Sequence, residues 1–386
     1  MSNFEPRARS TPRRRPAARG KAAFLHRWLG LTLGAIFALT GLTGSYLAFY
    51  PELETAAIAP LRASPGVRPA SIEAVYARLT QVASPDKGGW NIELPAGGGV
   101  ITSRYSAKGS PIRMVSVDPS TLAVVRDVRW GSTLSTWLYE FHYHLLMGRP
   151  GATIAGVFGL LLLAMTGAGI LLWWRSGRTM RSRLRYVVRG TRERHIHDIH
   201  RLMGIGASAL LIPIIVTAVM MSLPKQTRPL LGALSPIAHA DKPRSTVLPG
   251  RERLPIDSAL AIARRAVPDG EMRWVGVPHM ATAPYTIRFW KPGGLSHRFP
   301  KNTIWIDQYS GRVLGVRDER GSSPSDRILA WLYPLHSGQA FGLFGRSVVV
   351  LLGLVPLALF ITGFLRWRAR EARIAAHRRR IAPTPK

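Results

Sequence analysis

Four stretches of the chain are almost wholly apolar: Phe24 to Phe49, Ala152 to Trp174, Met203 to Leu223 and Ser347 to Trp367. Each supplies the roughly 20 residues a helix needs to cross a hydrocarbon core of about 30 Å, and charged residues are confined to their ends. Between them the period changes. Pro255 to Val267 has apolar residues at helical spacing and a Pro-Asp-Gly stop, while Trp274 to Val277, Tyr285 to Trp290 and Thr303 to Asp307 read as strands followed by a Tyr-Ser-Gly turn. A weaker copy precedes it, with a helix over Ser71 to Val82, strands over Gly99 to Tyr105 and Ile112 to Asp118, and the turn Asp118-Pro-Ser-Thr. The pattern predicts an α-helical membrane protein with four transmembrane helices and two external α+β domains. Its expected segments are a basic tail (1–23), a first span (24–49), a domain (51–133), a helix start and second span (134–174), and a basic loop (175–199). A third span (200–223), a second domain (224–326), a helix start and fourth span (327–367) and a basic tail (368–386) complete it.

Charge gives the expected orientation. The formal net charge is +32, which by itself would suit nucleic-acid binding, but its placement points elsewhere. Residues 1–27, 175–201 and 366–386 hold 25 of the 53 Lys and Arg against Glu5, Glu193, Asp198 and Glu371. With four spans these segments share one side, and positively charged flanks stay in the cytoplasm. Both termini are therefore expected inside and the two α+β segments outside, with anionic lipid rather than nucleic acid as the partner of the basic flanks. The first span is longer than the apolar region of a signal peptide and has no clean cleavage site, so it is expected to remain as an anchor. Cysteine is absent, which excludes iron–sulfur clusters, thiolate zinc sites and thioether-linked haem. The chain also has no P-loop, no dinucleotide-binding glycine motif and no serine nucleophile elbow.

The spans repeat. HRWLG (His26 to Gly30) opens the first and HRLMG (His200 to Gly204) the third. WLYEFH (Trp137 to His142) precedes the second and WLYPLH (Trp331 to His336) the fourth. Gly148 and Gly151 follow His142 by six and nine residues, as Gly342 and Gly345 follow His336, and Thr166-Gly167 and Thr362-Gly363 recur further on. The chain thus reads as two parallel copies of helix, domain, helix. Through these motifs, with DIHRLMG and PLHSGQAFGLFGR, it resembles the PepSY-associated transmembrane family, which includes iron-regulated inner-membrane proteins and ferric-siderophore reductases. The resemblance covers roughly residues 20 to 370 and implies PepSY-like periplasmic domains, a bacterial inner-membrane location and a role in iron uptake.

Parallel copies relate by a pseudo-two-fold axis along the membrane normal, which predicts that His26 faces His200 and His142 faces His336. Opposed imidazoles, without thiolates or clustered carboxylates, suit haem iron with two axial ligands. Two pairs predict two b-type haems, one towards each side, since a span from His26 to Phe49 covers about 35 Å at about 1.5 Å per residue. The bland reading of each His is an interfacial residue beside Trp28, Trp137 or Trp331. His144 has no equivalent in the second copy, where Gly338 stands; it is expected beside the haem or as an alternative ligand, and His197 likewise. A metal site on His195, His197 and His200 is a competing possibility. Gly30, Gly41, Gly44, Gly156, Gly159, Gly167, Gly204 and Gly206 admit either a macrocycle or a neighbouring helix. Trp90, Trp274, Tyr285 and Trp290 suit a domain core, or else a surface above the outer haem. His239, His279, His297 and His377 are expected on surfaces or linkers.

The reading is an oxidoreductase that passes electrons outward, and the family resemblance implies a ferric siderophore as the periplasmic acceptor. The short cytoplasmic segments cannot fold a flavin or nicotinamide domain, so electrons must come from a separate reductase, from quinol or from a small reductant. The alternative is a non-enzymatic accessory or permease-like protein of siderophore uptake.

Overall fold

The computed structural model describes residues 17–58, 70–95, 99–176, 179–237, 243–319 and 323–381. Among the described residues three helices are long and apolar enough to cross a membrane, or four if a bent pair counts as one span. The stretch expected as the first span, 24–49, falls on a bent pair: α1 (Ala17–Thr32) and α2 (Gly34–Leu47) meet at 62°. Hydrogen bonds from Leu33 N–H to the Leu29 carbonyl and from Phe37 N–H to the Leu33 carbonyl carry the ladder through the break. Gly34 sits where a Cβ would come within 2.6 Å of the Phe360 ring, so the chain turns at a close approach that only glycine allows.

After α3 (Tyr50–Ala57) come α4 (Ile72–Val82), the strands β1 (Gly88–Glu93), β2 (Ile101–Ala107), β3 (Arg113–Val117) and β4 (Val124–Arg129), then α5 (Leu134–His144). The long α6 (Gly148–Trp174), short α7 (Met180–Leu184), long α8 (Arg192–Ser222) and α9 (Pro224–Gly232) follow. The second half runs α10 (Ile256–Ala266), β5 (Glu271–Gly276), β6 (Tyr285–Trp290), β7 (Thr303–Ile306), β8 (Val313–Arg317), α11 (Pro324–His336) and α12 (Gly342–Ile381).

The chain divides into two compact units. One contains the described residues of segments 1–39, 160–212 and 354–386 and is helical throughout. Its wholly buried Asp198 accepts hydrogen bonds from Arg194 Nε (3.0 Å), His197 Nδ1 (3.1 Å) and the Val187 backbone N–H (3.3 Å), and Arg201 lies 3.1 Å away. A buried carboxylate persists only when its charge is met in this way; here it ties the segment before α8 to that helix.

The other unit, the described residues of segments 40–159 and 213–353, is built on one antiparallel sheet of eight strands in the order β4-β3-β2-β1-β5-β6-β7-β8. Each half is a helix followed by a four-strand meander, and the halves join where Ile92 faces Val275 and Glu93 faces Trp274. β1, β4 and β8 were not legible from alternation, because β1 opens on Gly88-Gly89 and β4 alternates Val with Arg and Asp on a half-exposed edge. Val75, Leu79 and Leu260 from α4 and α10 pack on Ile92, Val115, Val275, Ile287 and Ile304, each such side chain contributing about 1.5–3 kcal/mol by burial. The two helices cap each other. Asp257 of α10 accepts the Ile72 and Glu73 backbone N–H groups at 3.0 and 2.9 Å, and Glu73 of α4 accepts the Ile256 N–H. Each carboxylate meets the positive end of the other copy's helix. Of the four aromatics singled out above, Trp90 and Tyr285 lie in this core, whereas Trp274 is buried on the opposite sheet face and Trp290 packs edge-on against His297.

Candidate functional site

α5 and α11 end at their histidines. After each the chain turns sharply into a long helix, and in both copies a glycine of the new helix makes room: a Cβ on Gly151 would lie 1.7 Å from the His144 carbonyl, and one on Gly345 2.3 Å from the Gly338 carbonyl. These are the equivalent glycines of the repeat. The turn leaves His142 and His336 with ring centroids 6.1 Å apart and planes at 52°.

The second rings' hydrogen bonds fix which nitrogen is free. His142 Nδ1 contacts the Thr40 carbonyl at 2.9 Å and Thr43 Oγ1 at 3.1 Å, and Thr43 already donates its own hydroxyl proton to the Thr40 carbonyl. Nδ1 must therefore carry the proton, which leaves the Nε2 lone pair free. His336 repeats the arrangement with the Ile214 carbonyl (3.0 Å) and Thr217 Oγ1 (3.4 Å), whose proton goes to the Pro213 or Ile214 carbonyl. Thr40 and Thr43 follow His26 by fourteen and seventeen residues, and Ile214 and Thr217 follow His200 by the same numbers. The support is thus part of the repeat. It escaped the sequence reading because Ile214 works through its backbone.

In the helical unit His26 and His200 have ring centroids 6.0 Å apart and planes at 84°. His26 Nδ1 donates to the Met165 carbonyl at 3.0 Å. His200 Nδ1 lies 2.9 Å from Thr362 Oγ1, which gives its own proton to the Ala358 carbonyl. Here too Nδ1 is the protonated nitrogen and Nε2 the free one.

Both pairs pass a simple test for a metal between them. Two metal–imidazole bonds of about 2.0 Å, with the short distance from each nitrogen to its ring centre, put the centroids about 6 Å apart. Glycines cradle the rings: a Cβ on Gly44 would come 2.8 Å from His142 Cε1, on Gly169 2.9 Å from His26 Cε1, and on Gly363 3.4 Å from His200 Cε1. Gly169 was not singled out in the sequence, although it lies 27 residues past His142 as Gly363 lies 27 past His336. Gly156 and Gly159 instead face Leu223 and Val219, and so serve helix packing.

The remaining histidines are turned to other partners. His144 Nδ1 lies 2.7 Å from Glu140 Oε2, and Glu140 Oε1 accepts from Trp130 Nε1 at 2.7 Å; His144 is thus a neighbour of the pair rather than a member. His195 contacts Tyr186 and His197 contacts Asp198, so His195, His197 and His200 do not converge, and no cluster of three metal-ligating side chains occurs among the described residues. His279, His297 and His377 are exposed, and His239 lies outside the described residues.

The family described as PepSY-associated TM region matches residues 23–370. No curated protein matches the chain.

Proposed function

The chain belongs to the PepSY-associated transmembrane family, and on that premise we propose that it is a membrane-bound dihaem b-type oxidoreductase that delivers electrons to a periplasmic acceptor. The observation that carries the reading is the protonation pattern of the two pairs: four imidazoles, each with Nδ1 committed as a donor and Nε2 left as a ligand, in facing pairs 6.0 and 6.1 Å apart. His26 and His200 would hold one haem and His142 and His336 the other. When bound, each haem supplies a one-electron carrier. The carbonyls of Met165, Thr40 and Ile214 and the hydroxyls of Thr43, Thr217 and Thr362 orient the rings and raise their basicity as ligands.

In this reading the bent first pair counts as a span, giving four spans with both termini in the cytoplasm of a bacterial inner membrane and the sheet on the periplasmic side as a PepSY-like pair. The basic flanks support that orientation. The electron donor is a separate reductase or quinol. The acceptor is a ferric siderophore, which the family resemblance favours; reduction to the ferrous state weakens the oxygen chelate and frees the iron.

The test is the visible spectrum of the detergent-purified full-length protein, oxidised and dithionite-reduced, with a pyridine haemochrome assay. About two b-type haems per chain, reoxidised on addition of a ferric siderophore, is the expected result. A colourless protein from haem-sufficient cells overturns it in favour of the accessory or permease-like role.

A further inference from the structure

The sheet face turned away from α4 and α10 carries an arrangement that neither the core nor the histidine pairs explain. Trp274 on β5 is 1% exposed, and two guanidiniums share its indole: Arg104 Cζ on β2 lies 5.1 Å from the ring centroid and Arg288 Cζ on β6 lies 4.9 Å from it. Arg104 is also 5.0 Å over Trp130. Two further arginines on this face are paired, Arg126 with Glu54 at 3.2 Å and Arg298 with Glu93 at 2.8 Å. Among the described residues neither Arg104 nor Arg288 takes part in an ion pair, and Arg104 Nε is buried with no hydrogen-bond partner.

Two like charges held at one indole repel, and a cation–π contact at each returns only part of that cost. Burial, with Arg104 beside it, holds the Arg288 guanidinium below its ordinary value. Tyr139 of α5 meets the same Trp130 edge-on with ring centroids 5.2 Å apart, and burial pushes its phenol up to about 12, so it stays protonated. The two guanidiniums can only donate, and the phenol O–H adds a third donor. The carboxylate that acts on Arg288, Glu93, is already bonded through both oxygens by Arg298, so a further acceptor with negative charge is missing.

We propose that Arg104, Arg288 and Tyr139 form a binding site for an anionic oxygen ligand, a carboxylate or a chelating oxyanion, with Trp274 as its floor. Such a group accepts a forked pair of hydrogen bonds from each guanidinium and cancels the repulsion between them. His142 lies one helical turn beyond Tyr139 on α5, so the ligand is either a carboxylate of a haem on the His142/His336 pair or an anionic iron chelate arriving as acceptor. This assignment of sources rests on the proposed function; the anion site itself does not.

The experiment titrates full-length detergent-purified protein with citrate by calorimetry at low ionic strength and measures haem loss to apomyoglobin on the same samples. Wild type is compared with Arg104→Gln/Arg288→Gln, which removes both charges, and Arg104→Lys/Arg288→Lys, which keeps them. For a dissolved chelate, citrate binds wild type, the Gln pair weakens binding at least about tenfold, the Lys pair far less, and haem loss is unchanged. For a haem carboxylate, citrate does not bind, and the Gln pair loses haem at least about tenfold faster while the Lys pair does not. If the double Gln variant fails a thermal-melt check, Arg288→Gln alone is read against the same criteria. A colourless protein that binds citrate in an arginine-dependent way keeps the site and removes the haem reading. Citrate affinity and haem loss both within about twofold of wild type in the Gln pair overturn the proposal.

Discussion

In the His142/His336 pair both rings are held the same way, Nδ1 against a backbone carbonyl with a Thr hydroxyl three residues further along the same helix. The His26/His200 pair is held unevenly: His26 donates to the Met165 carbonyl and His200 to the Thr362 hydroxyl. The difference traces to the repeat. Thr40 and Thr43 match Ile214 and Thr217 residue for residue when counted from His26 and His200, so the first pair inherits full symmetry. Counted from the second and fourth motifs, Thr166 lies 24 residues past His142 but Thr362 lies 26 past His336. A slip of two residues is more than half a helical turn. Thr166 spends its hydroxyl on the Leu162 carbonyl, and His26 takes the carbonyl beside it instead. A duplicated sequence can thus keep two histidine pairs while letting the support of one drift.

The sharpest way to break the comparison is to remove a histidine from one pair at a time. If the proposed function holds, His142→Ala and His336→Ala should each lower the haemochrome yield from about two haems per chain to about one and cut reduction of the proposed acceptor by at least about 100-fold. His26→Ala and His200→Ala should also remove one haem, with the other spectral component surviving. Loss of both haems from any single substitution would show that the pairs do not fold around separate cofactors.

The next largest effect separates the pairs by their glycines. A methyl at Gly44 or Gly169 would meet the His142 or His26 ring at 2.8 or 2.9 Å, inside any tolerable contact, whereas at Gly363 it would meet His200 at 3.4 Å. Gly44→Ala and Gly169→Ala should each raise the rate of haem transfer to apomyoglobin by about tenfold or more, and Gly363→Ala by about twofold or less, the cost following the displacement each ring must make. Equal effects at all three sites would mean that the rings, once liganded, sit elsewhere.

How much of this was legible in the sequence follows the same division. The facing of His26 with His200 and of His142 with His336 follows from motif spacing and a symmetry argument alone, because a repeat fixes equivalent side chains opposite one another. The supports were not legible where they act through backbone, as with Met165 and Ile214, since a carbonyl leaves no residue-type signature. Gly169 was legible by count, 27 residues past His142 as Gly363 is past His336, but the Thr166-Gly167 step two residues earlier drew attention instead. Trp274 shows the limit for the sheet. Alternation places it on a face but not on which side the helices lie, and only the register of β1 with β5 sets it apart from Trp90. The bend at Leu33 was hidden for a related reason: apolar content is uniform across it, and the ring packed at Gly34, Phe360, comes from a distant part of the chain.

Hydroxyl removal gives a smaller, graded contrast. Thr43→Val and Thr217→Val leave the Thr40 and Ile214 carbonyls in place, so each should speed loss of the proposed haem from the His142/His336 pair only a few-fold, Thr43 more than Thr217 because its contact is 3.1 rather than 3.4 Å. Thr362→Val removes the 2.9 Å partner of His200 and should cost about tenfold, towards the lower end of what loss of a ligand's supporting hydrogen bond produces. A ranking with Thr217 above Thr362 would contradict the protonation argument for all four rings.

The finest contrast lies in the ring planes. At 84° the His26 and His200 imidazoles are close to perpendicular, and at 52° the His142 and His336 imidazoles are not. Axial imidazoles donate into the iron orbitals perpendicular to their planes, so perpendicular rings act almost equally on the two relevant orbitals and leave them nearly degenerate, while a smaller angle splits them. Two low-spin ferric signals should therefore appear in the electron paramagnetic resonance of the oxidised protein, the more anisotropic one vanishing in His26→Ala and the more rhombic one in His142→Ala. If the signals exchange places, the angles between the rings change when the ligands bind iron, and the asymmetry of support in the inner pair does not extend to its electronic structure.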